Sequence, residues 1–322
     1  MGAAPRHRGV VLLSVLLVLA LLSAIAWQLV GRHSLVIAQA RFSFTSDQAL
    51  SYALGAEALA RQLLHQEWLE GDQSKDTLLE PWAQPIAPMT LDNGYMEIQV
   101  RDLNGCFNLN SLAGESSQQN LERFKRLLRN LNQPEAIAEA WKDWVDADEE
   151  VTGFGAEDGE YLLLDNPYRT ANAPAAHVSE LRLIRGLEED SLEVLLPEVC
   201  VLPETELDLN VNTASAAVLA SLDPNLSATQ MIPFAESERD YGDVESVTAE
   251  FPDLAAAVDA MSVTSEYFEI QIRAQVEDTR SELTSVLRRN REDGRVELIS
   301  RDFGKDFRSL FVADLEPGSE PG

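Results

Sequence analysis

The sequence predicts an α+β fold in which a long N-terminal helix packs on an antiparallel sheet, with a large, mainly helical insertion between the first strand and a C-terminal meander. Three observations carry this. An uncharged run from Val10 to Val30 is followed by an apolar stripe of helical spacing that reaches Leu64. Residues near 97 and beyond 266 alternate between apolar and polar, the period of half-buried strands. The stretch between them, Asn108 to Met261, returns to helical spacing.

The chain has 322 residues, enough to bury a sizeable core without metal or disulfide staples. Its formal charge of −29 opposes any polyanionic partner, so nucleic acid is not an expected ligand. From Val10 to Val30 a helix would extend about 31 Å, the thickness of a bilayer's hydrocarbon core. Arg6 and Arg8 precede it, which by the positive-inside rule leaves the short N-terminus cytoplasmic and the acidic bulk on the other side. A secretory signal cut after Ala24-Ile25-Ala26 is the alternative. The length of the apolar run and the continuation of helical pattern past Trp27 favour a retained anchor.

Beyond the anchor, Ala49, Tyr52, Ala53, Ala56, Leu59, Ala60, Leu63 and Leu64 line one helix face, and Gly71-Asp72 ends it. Pro81, Pro85 and Pro88 make the next stretch a loop. In GYMEIQVRD, Met96, Ile98 and Val100 alternate with polar neighbours, and Asn104-Gly105 turns the strand's end. Far downstream Phe268, Ile270, Ile272 and Ala274 alternate again. Runs near Leu283–Leu287 and Val296–Ile299 complete a three-strand meander, turned at Asp293-Gly294. A lone strand cannot bury its face, so the strand near residue 97 should join this meander and pack on the N-terminal helix. Within the insertion, Leu121, Phe124, Leu127, Leu128 and Leu131 form one stripe and Ala136–Val145 another. In LDLNVNTASAAVLASL, Asn212-Thr213 is the expected cap of an apolar helix.

Eight acidic residues crowd Asp143 to Glu160 without one lysine or arginine. They either lie on solvated faces or share a hard cation. Val151 stands where an EF-hand loop needs glycine, so any cage is irregular. A loop folding back past Gly153, Gly155 and Gly159 would gather oxygens of Asp146 and Asp148, joined by Glu157, Asp165 and Asn172. Trp141, Trp144 and Tyr161 sit beside these acids, but aromatics three apart on a helix are ordinarily core. No nucleophile elbow or phosphate loop occurs, the four histidines have no metal-ligand spacing, and no enzymatic activity is expected. Cys106 and Cys200 are an even pair in an exported region, either bridged, which would tie the insertion to the sheet, or free and buried.

The short basic leader ending at Gly9, abutting an apolar helix, resembles the type IV prepilin signal, and the resemblance makes Val10 the first mature residue. Ser14 occupies the fifth mature position, where most pilins carry glutamate. The run WKDWVDADEEVTGFGAEDGEYLLLDNPYRTANAP from Trp141, with SELRLIRGL after it, closely resembles the central motif of the K subunits of type II secretion. DLNGCFNLNSL and NVNTAS agree in the same order. The resemblance implies a pilin-like fold and the role of a minor pseudopilin at the tip of a periplasmic pseudopilus, for which Ser14 suits a subunit with no neighbour above it. It also implies calcium in the acidic lobe. The implied partners are minor pseudopilins I and J, through them H and the major pseudopilin, the inner-membrane assembly platform and prepilin peptidase. The implied location is the inner membrane, single-pass, with a periplasmic C-terminal domain. NVNTASAAVLASL also resembles half of a DNA-binding helix-hairpin-helix, though its acidic surroundings oppose that use. A minor pilin of a related type IV pilus or competence machine and a soluble periplasmic binding protein are the alternatives.

The resulting organisation is a leader (1–9), a transmembrane helix (10–30), and a helix continuation with the first strand (31–107). Two insert modules follow, one acidic (108–203) and one helix-hairpin-helix-like (204–265), then the C-terminal strands (266–312) and a disordered tail (313–322).

Overall fold

The computed structural model describes residues 8–304 and residue 307. The expected leader up to residue 7 and the tail 313–322 lie outside the described residues. Helix α1 runs unbroken from Arg8 to Glu70, about 95 Å at the usual rise per residue. From Val10 to Phe44 it is exposed throughout. From Thr45 onward one face is buried, carried by Ala49, Ala53, Ala56, Ala60 and Leu64. All but Leu64 are alanines, small enough to let the helix lie close on the sheet. Leu59, expected on that face, is exposed, and the place is taken by Glu57, a buried carboxylate that the apolar stripe concealed. The Arg301 guanidinium donates to both Glu57 oxygens at 2.7 and 2.9 Å and Ser285 Oγ adds a third bond at 2.8 Å, holding the carboxyl below its usual range.

A short strand β1 (Met89–Leu91) turns into β2 (Gly94–Asp102). After the insertion come β7 (Tyr267–Val276), β8 (Thr279–Arg289) and β9 (Val296–Asp302). The five form one antiparallel sheet in the order β1-β2-β7-β8-β9. In this register Ile98 faces Ile272 and Val100 faces Ile270. Phe268, Ile270, Ile272, Ala274, Leu283 and Leu287 pack with the α1 alanines, and Trp82 from the preceding loop meets Phe268 edge to face. Gly294 turns β8 into β9 with φ of +66°, a conformation glycine adopts without strain.

Within the insertion lie β3 (Phe107–Asn108), α2 (Ser117–Asn130), α3 (Ala136–Val145), the single turn α4 (Asp158–Tyr161), α5 (Glu189–Leu195) and β4 (Val199–Cys200). Then come β5 (Leu209–Asn210), α6 (Ala216–Ser221), α7 (Ala228–Ala235), α8 (Val244–Glu250) and β6 (Met261–Ser262). Parallel two-residue ladders close it, β3 with β4 and β5 with β6. One apolar core runs through both expected modules, from Phe107 and Phe124 to Phe234 and Val263, so each leans on the other for burial. The expected cap at Asn212-Thr213 is corrected: Ser215 caps α6, its Oγ accepting from Val218 N at 3.2 Å. Asn212 instead spans the module, donating to Tyr241 O and accepting from Tyr241 N.

The insertion leaves from one end of the sheet. At the β7–β8 turn, Glu277 pairs with Arg41 and Thr279 with Thr45, beside the apolar half of α1. At the other end Arg289 reaches Glu67, and there β2 ends and β7 begins, with Asp102 opposite Phe268. The insertion therefore crowns the end of the sheet farthest from the exposed apolar helix.

Asp102 fastens that junction. Its carboxylate accepts from Asn104 N, Asn210 Nδ2, Ser265 Oγ and Thr213 Oγ1, joining the NVNTAS segment to the sheet. Burial outweighs these donors and pushes its pKa up to about 6. The folded value exceeds the unfolded one, so the charged form weakens the fold above pH 6, and that penalty is relieved as pH falls towards 4. Between pH 7 and 4 wild type should gain up to about 3 kcal/mol from this group. Asp102→Asn should lack that share of the slope in urea unfolding, and an identical slope in both proteins would contradict the assignment.

Candidate functional site

Helix α3 organises the acidic lobe. Its apolar face buries Trp141 and Trp144, whose indole nitrogens donate to Leu109 O at 3.0 Å and Glu180 Oε2 at 2.9 Å. Trp144 meets Tyr161 edge to face, and Tyr161 stacks on Tyr168. These rings are core and form no open wall, as their helical spacing predicted.

The polar face of α3 folds the following loop back on itself. Asp143, fully buried, accepts from Thr152 N at 3.0 Å, and Glu139 accepts from Phe154 N at 2.7 Å. Burial pushes Asp143 up to about 6. Gly155 permits the fold-back: a Cβ there would lie 2.1 Å from Asp143 Oδ2 and 2.9 Å from Glu139 O.

The fold-back places Asp146, Asp148 and Glu157 so that one oxygen from each lies within 4.8 Å of the others. Asp146 caps the C-terminus of α3 and pairs through Oδ2 with Lys142 at 2.8 Å. Asp148 is exposed and accepts from Glu150 N. Glu157, buried, begins α4 and accepts from Thr170 Oγ1 at 3.2 Å. Asn172 is drawn to the same helix end because its N–H donates to Trp144 O at 3.0 Å, and its φ is +44°. Asp165, predicted with these four, is exposed and stands outside the carboxylate group.

Three oxygens here, Asp146 Oδ1, Glu157 Oε1 and Asn172 Oδ1, are buried without a hydrogen-bond donor. Buried acceptors without partners are costly and uncommon. Burial, reinforced by the negative charges of Asp143, Asp146 and Asp148, pushes Glu157 up to about 7 despite the Thr170 bond. Lys142 reaches only the other oxygen of Asp146, so these buried carboxylate and amide oxygens left without a donor fit a hard divalent cation of the calcium type.

A second acidic group, Glu67, Asp76 and Glu80, escaped the sequence because its members meet only after folding. A protein cation already serves it: Arg289 pairs with Glu67 at 3.1 Å and with Asp76. Burial raises Glu80 to about 7, and Trp82 Nε1 donates to it at 2.6 Å. This group fastens the end of α1 to β8.

Cys106 and Cys200 are bonded to each other, side by side with the β3–β4 ladder, in a small core with Leu103, Leu202 and Tyr267. Gly9 and Val10 fall in the first turns of α1. Ser14 is exposed on it and returns its hydroxyl to Val11 O at 2.9 Å. Among the described residues one helix, α1, is long and apolar enough to cross a membrane.

Residues 105–204 match the family described as Type II secretion system (T2SS), protein K. The type II secretion system protein K of Pseudomonas aeruginosa is 35% identical, with 93% of each chain covered. That of Aeromonas hydrophila is 32% identical over 99% of this chain and all of the relative. Among solved structures, the GspK-GspI-GspJ complex from the type 2 secretion system of enterotoxigenic Escherichia coli contains a chain that superposes with a TM-score of 0.74. That chain is 28% identical and is wholly covered by 83% of the present one.

Proposed function

The chain belongs to the type II secretion system protein K family, the minor pseudopilins of pilin-like fold, and from that premise we propose that it caps the tip of the periplasmic pseudopilus and helps initiate its assembly. The observation that carries the cap is the placement of the insertion. It crowns the end of the sheet opposite the apolar helix, where a further subunit would otherwise stack. Ser14, in place of a carboxylate that would reach an upper neighbour, fits the same position.

The apolar half of α1 anchors the chain in the inner membrane with the acidic body in the periplasm. Its uncovered apolar surface beyond the bilayer, including Leu35, Val36, Phe42 and Phe44, suits packing beside other anchors. Pseudopilins I and J are the immediate partners, as in the related complex, and H, the major pseudopilin and the inner-membrane platform are reached through them. No reaction is catalysed, and the acidic lobe serves structure. Asp146, Asp148 and Glu157, with Asn172, would hold calcium, whose charge would offset theirs and fix the loop on α3. Nucleic acid is not a ligand: at the start of α7 the amides of Ser227 and Gln230 are taken by each other's side chains, and the surroundings are acidic.

Prepilin peptidase should cut between Gly9 and Val10. The membrane fraction of a host carrying that enzyme should yield a mature chain starting at Val10 by intact mass and terminal sequencing. A soluble chain starting at Trp27 would remove the anchor and with it the assembly reading.

A further inference from the structure

The loop over α3 carries large apolar side chains that the fold does not use. Phe154 is 83% exposed and Leu163 86%, and Val151, Leu162 and Leu164 are about half exposed beside them in sequence. Their backbone is fixed. Phe154 N is held by Glu139, Leu162 N by Asp158 O at 3.0 Å, Leu163 N by Glu160 O at 3.2 Å and Leu164 N by Tyr161 O at 3.3 Å. The side chains are thus thrown outward by a held loop. Exposed apolar residues on α1 have the bilayer and neighbouring anchors to cover them, whereas this loop belongs to the insertion at the opposite end. Large apolar side chains held outward by a fixed backbone are the kind of surface that marks contact sites on soluble domains.

Charge selects the occupant. Glu149, Glu150, Glu160 and Asp165 are exposed among the apolar residues in sequence, and the nearest exposed cation along the chain, Arg169, is already paired with Asp158. A second copy of this chain, at −29, would set acid against acid, and so would an anionic lipid surface. We propose that Val151, Phe154 and Leu162–Leu164 form a docking surface for a protein segment that is apolar at its centre and flanked by lysine or arginine. The inference rests on the assembly reading above and adds a contact that the tip makes beyond its own sheet and anchor.

The test places the photoreactive residue p-benzoylphenylalanine at position 163 of the full-length chain, in cells producing the whole secretion apparatus, and sequences the cross-linked peptide. The expected adduct joins a peptide with an apolar centre and basic flanks. Its yield should fall at least about fivefold with Phe154→Ser, and likewise with Glu149→Lys and Glu150→Lys combined, while the subunit still co-isolates with I and J. These positions are exposed, so the variants should fold normally. A subunit that co-isolates with I and J but gives no adduct would overturn the docking surface alone. So would an adduct with lipid, with a second copy or with an acidic segment, and so would a yield indifferent to the variants. Failure of the unsubstituted chain to co-isolate with I and J would instead overturn the assembly reading, and this inference with it.

Discussion

Replacing Cys106 and Cys200 together with alanine should lower the stability of the folded body by about 4–5 kcal/mol, the loop-closure entropy of a cross-link spanning 94 positions. The bridge closes a loop that contains α2 to α5 and the acidic lobe, and it ties them to the end of β2. Without it the insertion is held at this point by a two-residue ladder and a small core. For a body of this size the loss corresponds to a fall in Tm of about 10–20 °C. It is also a large fraction of the 5–15 kcal/mol by which domains are ordinarily stable. Thermal unfolding of detergent-solubilised full-length protein measures the shift. Limited proteolysis should cut the insertion of the variant before the sheet. A Tm within about 2 °C of wild type would show that the ladder and Asp102 suffice.

The second large effect concerns the cation. Calcium at a thousandfold excess over its dissociation constant should stabilise the body by about 4 kcal/mol, and a chelator should remove that gain. Asp146→Asn combined with Glu157→Gln should abolish the response to calcium. In chelator the same variant should be at least as stable as wild type, because repulsion among the acids is relieved. Acidity gives the sign independently. Glu157 has its folded pKa raised to about 7, so in metal-free protein its contribution to stability grows as pH falls through 7. Calcium requires the ionised carboxylate, so its effect should be full above pH 7 and fade below it. A Tm indifferent to calcium across pH 6–8, with no calcium found by elemental analysis, would leave the lobe as solvated acids.

Much of this was legible in the sequence because it rests on period and punctuation. Alternation at Met96–Val100 and Phe268–Ala274 gave strands that pair as expected, and Gly71-Asp72 follows the last helical residue. What escaped depends on partners distant in the chain. Glu57 lies on an apolar face because Arg301 meets it from β9, and nothing local to Glu57 announces that. The ladders that close the insertion are two residues long, too short to show a period. Asn212 and Thr213 have the chemistry of a helix cap, yet Ser215 lies closer to the first free amide, and the other two serve tertiary contacts. In the acidic lobe, residue type and the glycines indicated Asp146, Asp148, Glu157, Asp165 and Asn172, of which the structure brings the carboxylates of the first three together. Asn172 enters through a backbone bond to Trp144, and Asp165 points to solvent, a difference in chain path that composition does not encode.

The central claim is that this chain ends the pseudopilus. Electron microscopy of pseudopili assembled with a gold label attached to an exposed residue of the insertion tests it most directly. The label should appear at one end of each fibre and nowhere along its length. Labels spaced along the shaft would contradict the cap and make the chain an ordinary building subunit.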